Sequence, residues 1–359
     1  MHKIGMKLLL LSVLMVLSFG RAVEPAFFAP AQDVSLADDA YHYREFADGK
    51  HDNRYIEWWY FNFYDTIQDL QGIFAYFVAN PEKRPGPSLV QVVGVVYTSQ
   101  GVVSKVDIYR PEQFTASYEK ADVQIEANTI RVIDGGSYRI VGASRDARLK
   151  WDLLYISQSA PWYAANRMNV GRFPWEQMSW LIYMPRADVT GQIELDGQVY
   201  QIRAPGYHDH NWGEWNFTNA LWNWAQYSEP GLALEIGDFI GQPVGVASVD
   251  VQGQRNIFTK KEYELTHTRW AYDAINRKQY PIETTFRAEN EAIRVALTIR
   301  AINTHPLRGR LPFPLPEPII YEQTAQYTGQ LWQKNASGQW QPLMSFSGNG
   351  FKEYTAKAR

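Results

Sequence analysis

The sequence contains no cysteine, which excludes disulfide bonds, thiol catalysis and metal sites built on thiolates. Histidines are also few, with 7 in the chain. Basic and acidic residues nearly balance, the net charge is −3, and no block of lysines or arginines occurs. Nucleic-acid binding would require a basic patch, so the composition gives no support for a nucleic-acid partner.

Long hydrophobic runs are missing as well. The apolar run at residues 8–19 is shorter than the roughly 20 residues that cross a bilayer. It follows two lysines and precedes the small residues Gly20 and Ala22, a pattern that predicts a signal peptide at residues 1–22. The alternative is that this segment stays as an N-terminal anchor. We expect an exported, periplasmic protein.

Aromatic residues, in contrast, are abundant: 13 Trp, 22 Tyr and 17 Phe. Short aromatic or β-branched segments, such as "EWWYFNFY" (57–64) and "LVQVVGVVYT" (89–98), alternate with turn residues and predict strands. The dipeptide Asp196-Gly197 predicts a hairpin turn. Weak helical periodicity occurs only at 159–170 and 267–277. The fold class predicted from these patterns is all-β and antiparallel.

The length suits two β-barrels or sandwiches. We predict an extended lead-in at residues 23–50, an N-terminal domain at 51–217 and a C-terminal domain at 218–359. Residues 306–318 contain five prolines and predict a rigid, extended connection within the second domain.

The segment "GYHDHNWG" (206–213) has the highest density of chemically active side chains. In an extended chain, Tyr207, Asp209 and Asn211 share one face, and His208 and His210 share the other. The histidines could bind a metal with a further ligand, or they could form hydrogen bonds that support the fold. Asp209, if surrounded by aromatics, would have a raised pKa and act as an acid. Alternatively, it caps a turn before the final glycine.

Several other side chains are candidates. Glu57 either pairs with His208 or His210 as a structural contact or lines a pocket, and Trp59 on the same face is a candidate for substrate contact. Further candidates for the pocket are two tryptophans and three polar groups in apolar strands: Trp222, Trp224, Tyr321, Glu322 and Glu353. For the tryptophans, an ordinary core position is the alternative.

"EWWYFN" (57–62) and "GYHDHNWG", separated by about 150 residues, together resemble motifs of the AttH/CrtC-like family. "FPWEQMSWLIYMPR" (173–186), "IIYEQTAQYTG" and "GNGFKEYT" are similar to further family segments. The family includes carotenoid 1,2-hydratases, kievitone hydratase and decalin-forming Diels–Alderases. The resemblance implies two lipocalin-like β-barrel domains with an apolar pocket near their junction.

The resemblance further implies an isoprenoid or polyene substrate and acid-catalysed hydration without a cofactor. Asp209 matches the acid, with Tyr207 as its neighbour, and Trp180 is a candidate for stabilising a cation. Met178 stands where the hydratases, in this alignment, have a histidine, which puts carotenoid hydration itself in doubt. With this resemblance we assign Tyr207, Asp209 and Asn211 to catalysis. Glu57, His208 and His210 are assigned to structure, and no metal or cofactor is predicted.

Three functions remain open on this basis. The first is a hydratase acting on an apolar isoprenoid-type alkene. The second is a cyclase or isomerase that folds a polyene, for which cavity shape would suffice. The third is a periplasmic carrier of a lipid or other hydrophobic ligand, linked to an ABC-type export system.

Overall fold

A computed structural model describes residues 33–216, 220–308 and 318–357 of the chain. About 69% of these residues lie in β-strands and only about 4% in helices, and the strands form two antiparallel sheets. The first sheet is a nearly closed barrel and the second a curled half-barrel. The predicted all-β fold of two antiparallel, lipocalin-like units is therefore confirmed.

The first sheet follows the order β4-β3-β2-β1-β12-β11-β9-β8-β7-β6-β5, and β10 pairs with β11. Its strands are β1 (Tyr55–Asp65), β2 (Leu70–Ala79), β3 (Leu89–Thr98), β4 (Gly101–Tyr109), β5 (Phe114–Ala116), β6 (Val123–Ile125), β7 (Asn128–Asp134), β8 (Ser137–Ala143), β9 (Leu149–Ser157), β10 (Trp162–Asn169), β11 (Gln177–Leu195) and β12 (Gln198–Glu214). Because β12 pairs with both β1 and β11, it places the "GYHDHNWG" segment in the middle of the sheet.

The second sheet follows the order β16-β15-β14-β13-β21-β20-β19-β18-β17. Its strands are β13 (Trp222–Glu229), β14 (Leu232–Phe239), β15 (Gly245–Val251), β16 (Gln254–Thr259), β17 (Tyr263–Asp273), β18 (Lys278–Glu289), β19 (Ile293–Arg308), β20 (Pro318–Lys334) and β21 (Trp340–Lys357). The chain thus passes from one sheet to the other between residues 214 and 222. The domain boundary at 217/218 stays a prediction, because residues 217–219 lie outside the described ranges.

The alternation of side chains along β1 explains why this strand is apolar on both faces. Phe61 and Phe63 lie in the core that the first sheet encloses, whereas Ile56 and Tyr60 lie in a second core. Successive side chains of a strand point to opposite faces, so both faces of β1 are buried. The second core also contains Trp224 of β13, so it forms the interface between the two sheets.

The Asp196-Gly197 hairpin is present as predicted. Leu195 of β11 pairs with Gln198 of β12, and the two turn residues have φ values of 50° and 85°. Positive φ at both central positions is the requirement of a type I′ turn, which Asp-Gly satisfies at low conformational strain.

Other local predictions are wrong. The two weak helical windows lie mostly in strands, β10 and β17, because antiparallel backbone pairing with neighbouring strands decides their structure. The turn expected before Gly213 is absent, since β12 continues to Glu214. Residues 306–308 continue β19 and Pro318 begins β20. The proline-rich stretch between them, 309–317, lies outside the described residues.

The lead-in is not an extended segment where it is described. Leu36–Asp39 forms a 3₁₀ turn, α1 (Tyr43–Phe46) is one helical turn, and Asp52–Arg54 forms a second 3₁₀ turn. Tyr41, Tyr43 and Phe46 are buried in the core of the first sheet, which explains the local folding. The predicted signal peptide at 1–22 lies outside the described residues. Among those described, no helix is long and apolar enough to cross a membrane.

Candidate functional site

Asp209 lies in β12 with its carboxyl group directed toward the interface between the sheets. Its Oδ2 atom accepts two hydrogen bonds of 2.8 Å, one from the Trp180 indole N–H and one from the Tyr207 hydroxyl. The Asn211 side-chain amide approaches Oδ1 at 3.4 Å. Asp209 is only 4% exposed, and strand register places Asn211 beside Trp180. The predicted group of Tyr207, Asp209 and Asn211 is therefore assembled around one carboxyl group.

Burial raises the pKa of Asp209 to about 7, although the hydrogen bonds from Tyr207 and Trp180 act in the opposite direction. Burial also raises the pKa of Tyr207 well above its ordinary value, so the phenol stays protonated and donates a hydrogen bond to Asp209. Because Oδ2 already accepts two hydrogen bonds, the proton of the neutral acid is expected on Oδ1. Asp209 is thus a carboxylic acid able to donate a proton near neutral pH.

A cavity of about 150 Å³ lies between the two sheets in front of Asp209. Its walls are mostly apolar, and its aromatic lining includes Trp58, Tyr60, Phe77, Trp180, Trp215, Trp222 and Trp224. The polar lining consists of Gln91, Asp209, Asn211, Asn223, Asp238, Glu322 and Glu353. A dry apolar cavity of about this volume accepts a ring the size of benzene. The cavity therefore suits one end of an apolar molecule.

A second acidic group lies in the cavity wall contributed by the second sheet. Glu322 of β20 and Glu353 of β21 are opposite each other in the strand register; Glu322 is buried and Glu353 is half-buried. The Trp222 indole N–H donates a 2.6 Å hydrogen bond to Oε2 of Glu353. Burial raises the pKa of both carboxyl groups, and the proximity of Glu353 raises that of Glu322 further. Two adjacent carboxyl groups of this kind do not ionise independently, because the negative charge of one opposes the ionisation of the other.

The opposite face of β12 carries a buried ionic network. Asp39 Oδ2 lies 3.0 Å from His208 Nε2, and Asp39 Oδ1 lies 3.1 Å from His210 Nδ1. The remaining nitrogens contact the Tyr60 carbonyl oxygen at 2.9 Å and Glu57 Oε1 at 2.8 Å. All four imidazole nitrogens therefore contact protein oxygen atoms. The histidines connect the N-terminal turn to β1 and β12, and the Glu57 contact expected from the sequence is present.

Within this network, Asp39 and the histidines stabilise each other's charged forms. Burial alone would raise the pKa of Asp39, but the two histidines hold it well below the ordinary value. Burial opposes the charged form of His210, yet Asp39 and Glu57 raise its pKa above the ordinary value. Ring packing adds to this arrangement, since His208 stacks on Phe61 at 4.0 Å and His210 on Trp59 at 4.5 Å between ring centres.

Two predicted substrate contacts are wrong for this cavity. Trp59 belongs to the core of the first sheet, where its indole N–H donates to the Asp39 carbonyl oxygen at 3.1 Å. Tyr321 stacks on Tyr280 and donates to Asp273, away from the cavity lining. Both errors have one cause: in a strand the next residue faces the other way, so the neighbours Trp58 and Glu322 line the cavity instead.

The other expected pocket residues, Trp180, Trp222, Trp224, Glu322 and Glu353, do line the cavity, and so does Met178. Sequence reasoning missed Tyr60, Gln91, Asn223 and Asp238. Alternation along "EWWYFN" could have indicated Tyr60, because it shares a face with Trp58. Gln91 shares a face of β3 with Val93, which also lines the cavity, but no local pattern in the sequence indicates that this face of β3 meets the second sheet.

The fold and the cavity together define a two-sheet, lipocalin-like protein with carboxyl groups in an apolar site. No family model and no curated protein matches the chain. Among solved structures, the chain is similar to a protein provisionally assigned as AttH from Nitrosomonas europaea. The TM-score is 0.68 at 17% identity, over 92% of this chain and 99% of that one.

The chain is also similar to CghA crystallised with Sch210972, with a TM-score of 0.57 at 13% identity. That match covers 84% of this chain and 88% of CghA. A second CghA structure gives a TM-score of 0.55. At these identities the similarity concerns the fold. The resemblance to the AttH/CrtC-like family is confirmed at that level, and the fold suits ligand binding or catalysis.

Proposed function

We propose that this protein is a hydratase-like enzyme that adds water to an alkene of an apolar, isoprenoid-type molecule. The observation that carries the proposal is the Asp209 carboxyl group, whose raised pKa of about 7 keeps it partly protonated inside an aromatic cavity. An apolar alkene lacks groups for strong hydrogen bonding, so it requires a positioned acid and mostly apolar walls. Both are features of this site.

In the proposed reaction, the Asp209 O–H bond breaks and its proton joins one alkene carbon, which leaves a tertiary cation on the neighbouring carbon. The faces of the surrounding tryptophans, Trp180 among them, stabilise the positive charge. Water then forms a C–O bond and releases one proton. The Glu322–Glu353 pair accepts that proton, and exchange through water returns a proton to Asp209.

The cavity volume limits what can enter. About 150 Å³ accommodates an isoprenoid end group and not an entire carotenoid. We therefore propose that the substrate inserts one terminus, with its trisubstituted alkene next to Asp209, and that the rest of the molecule stays outside the cavity. Export to the periplasm after removal of residues 1–22 is part of the same proposal.

The test is organic extraction and mass analysis of the molecules that co-purify with the wild-type protein and with Asp209→Asn. We expect the variant to retain an alkene and the wild type to hold the same molecule plus one water. Turnover of that alkene should fall at least about 10²-fold in Asp209→Asn. Asp188→Asn, an exposed change on β11, is the matched control and should behave as wild type.

Equal amounts of one unchanged lipid in both proteins would contradict catalysis by Asp209. That result would favour the carrier function with an ABC-type export partner. A cyclase or isomerase is the second candidate, because CghA, which was crystallised with Sch210972, has a similar fold. In that case the wild type would hold a product of unchanged mass, and substitutions that fill the cavity would reduce activity more than Asp209→Asn.

A further inference from the structure

We propose that Asp48, His51 and Glu214 bind one divalent transition-metal ion at the end of β12. One ligand atom from each of these residues lies within 4.8 Å of those from the other two. None of the three residues lines the cavity described above, so the site is separate from the proposed chemistry. It is also distinct from the His208-x-His210 pair considered from the sequence.

The observation that points to an ion is the state of the Glu214 carboxyl group. Glu214 is 4% exposed, and its Oε1 atom is buried without a hydrogen-bond partner among the described residues. A buried carboxyl group without a partner is strongly unfavourable unless a cation or a proton neutralises it.

The charged residues around Glu214 make neutralisation of its carboxyl group more favourable. The carboxylates of Asp48 and Asp52 are close enough to Glu214 to repel its negative charge, and Arg167 is the opposing positive charge. The local surplus of negative charge thus favours a positive ion at this position. The proton is the competitor that such an ion would displace.

The other two ligands have supporting contacts. Oδ1 of Asp48 accepts hydrogen bonds from the backbone N–H groups of Lys50 and His51, at 2.7 and 2.8 Å. The imidazole of His51 stacks on Trp175 with ring centres 4.4 Å apart. Such supporting contacts are typical of metal ligands, whose orientation they set.

The ligand set indicates the class of ion. One imidazole and two carboxylates suit Zn²⁺ and similar transition metals, whereas Ca²⁺ and Mg²⁺ prefer oxygen ligands alone. Around a tetrahedral Zn²⁺ the ligand atoms stand about 3.4 Å apart, given bonds of about 2.1 Å. The ligand atoms lie within 4.8 Å of one another, so side-chain rotations would have to bring them closer when the ion binds.

A bound ion would fasten the loop before β1 to the end of β12. Tyr55, the first residue of β1, is already the strand partner of Glu214. The ion would add a connection between the segment at residues 48–51 and the strand that carries Asp209. Its expected effect is on stability, because it binds the folded chain alone.

The test uses tag-free, EDTA-treated protein titrated with Zn²⁺, with Ca²⁺ as the comparison ion. Calorimetry should show one Zn²⁺ per chain, and Tm should rise by several degrees at Zn²⁺ concentrations about 100-fold above Kd. We expect at least a tenfold loss of affinity in His51→Ala and loss of the site in Glu214→Gln. Glu229→Gln is the matched control, since Glu229 also ends a strand but accepts a 2.8 Å hydrogen bond from Tyr227.

Absence of saturable Zn²⁺ binding would overturn the proposal. So would binding that is unchanged in Glu214→Gln, or Ca²⁺ binding tighter than Zn²⁺ binding. Circular dichroism of the metal-free variants shows whether they fold. If Glu214→Gln does not fold, His51→Ala decides the question, because His51 is partly exposed and its removal leaves the strands intact.

Discussion

Asp209 and Asp39 show how the neighbours of a buried carboxyl group decide its charge. Both side chains are almost fully buried, which by itself raises a carboxyl pKa. Asp39 contacts two histidines, and its pKa is lowered. Asp209 is surrounded mainly by neutral donors and aromatic rings, and its pKa rises to about 7. The first residue is therefore suited to structure and the second to proton transfer.

The pKa of Asp209 predicts the pH dependence of activity. The protonated acid predominates below about pH 7. The rate of the chemical step should be highest there and should fall about tenfold per pH unit above it. Single-turnover measurements between pH 5 and 9 test this, and a rate that increases with pH through 7 would contradict an acid role for Asp209.

The same pKa also predicts how the contribution of Asp209 to stability changes with pH. Because the folded-state pKa exceeds the unfolded value of about 3.9, the folded chain binds the extra proton, and Asp209 becomes increasingly destabilising as pH rises from about 4 to 7. Asp209→Asn should thus be more stable than wild type at pH 8 and gain little at pH 4. Urea unfolding at the two pH values measures the difference.

At the scale of elements, the N-terminal 3₁₀ turn acts as part of the barrel. It supplies Asp39, which contacts two histidines of β12 that lie about 170 positions later in the sequence. Trp59 of β1 donates to the Asp39 carbonyl oxygen and so holds the turn in place. The network thus joins the N-terminal turn to β1 and β12, whereas backbone pairing joins only the two strands to each other.

Asp39→Asn should destabilise the fold by about 3 kcal/mol, because it leaves buried histidines without their anionic partner. The Asp39 pKa is depressed, so its contribution is lost as pH falls below about 4 and toward the folded-state pKa. The His210 pKa is raised, so its contribution is lost as pH rises through a folded-state pKa above 6.5. The difference from wild type should therefore be largest between about pH 4 and 6.5.

Urea unfolding of Asp39→Asn and of the exposed control Asp33→Asn measures this effect. Equal midpoints for the two variants near pH 6 would show that the network does not stabilise the barrel.

At the scale of the whole molecule, the two sheets contact each other directly at the candidate site. Trp180 of the first sheet packs on Gly237 of the second, and an added Cβ at Gly237 would lie 2.2 Å from the indole ring. The Tyr97 hydroxyl donates to the Glu322 carbonyl oxygen across the interface at 3.1 Å. The position of Trp180, and with it one hydrogen bond to Asp209, therefore depends on the second sheet.

Gly237→Ala should destabilise the protein by about 1–3 kcal/mol, since the extra methyl group displaces the Trp180 ring. Ligand affinity and turnover should fall with it. Gly135→Ala is the control, because no atom lies within 4 Å of its added Cβ and its φ is not in the left-handed region. Unchanged stability and affinity in Gly237→Ala would show that the site does not depend on the contact between Trp180 and Gly237.

The sequence by itself determined the features that depend on local geometry. Short aromatic and β-branched segments predicted the strands, the two-residue alternation of side chains predicted the two faces of "GYHDHNWG", and Asp-Gly predicted the hairpin between β11 and β12. The same alternation separated Asp209 from the histidines beside it, which is why the acid and the ionic network could be assigned to opposite faces.

The tertiary structure alone decided which distant residues meet at each face. The partner of the histidines is Asp39, in a segment expected to be extended, and the cavity wall combines Trp58, Gln91, Asn223 and Glu353. In a strand, side-chain direction repeats every two residues, so it can be predicted from a short stretch of sequence. Sheet curvature and the packing of one sheet on another depend on contacts across the whole chain, so no local pattern encodes them.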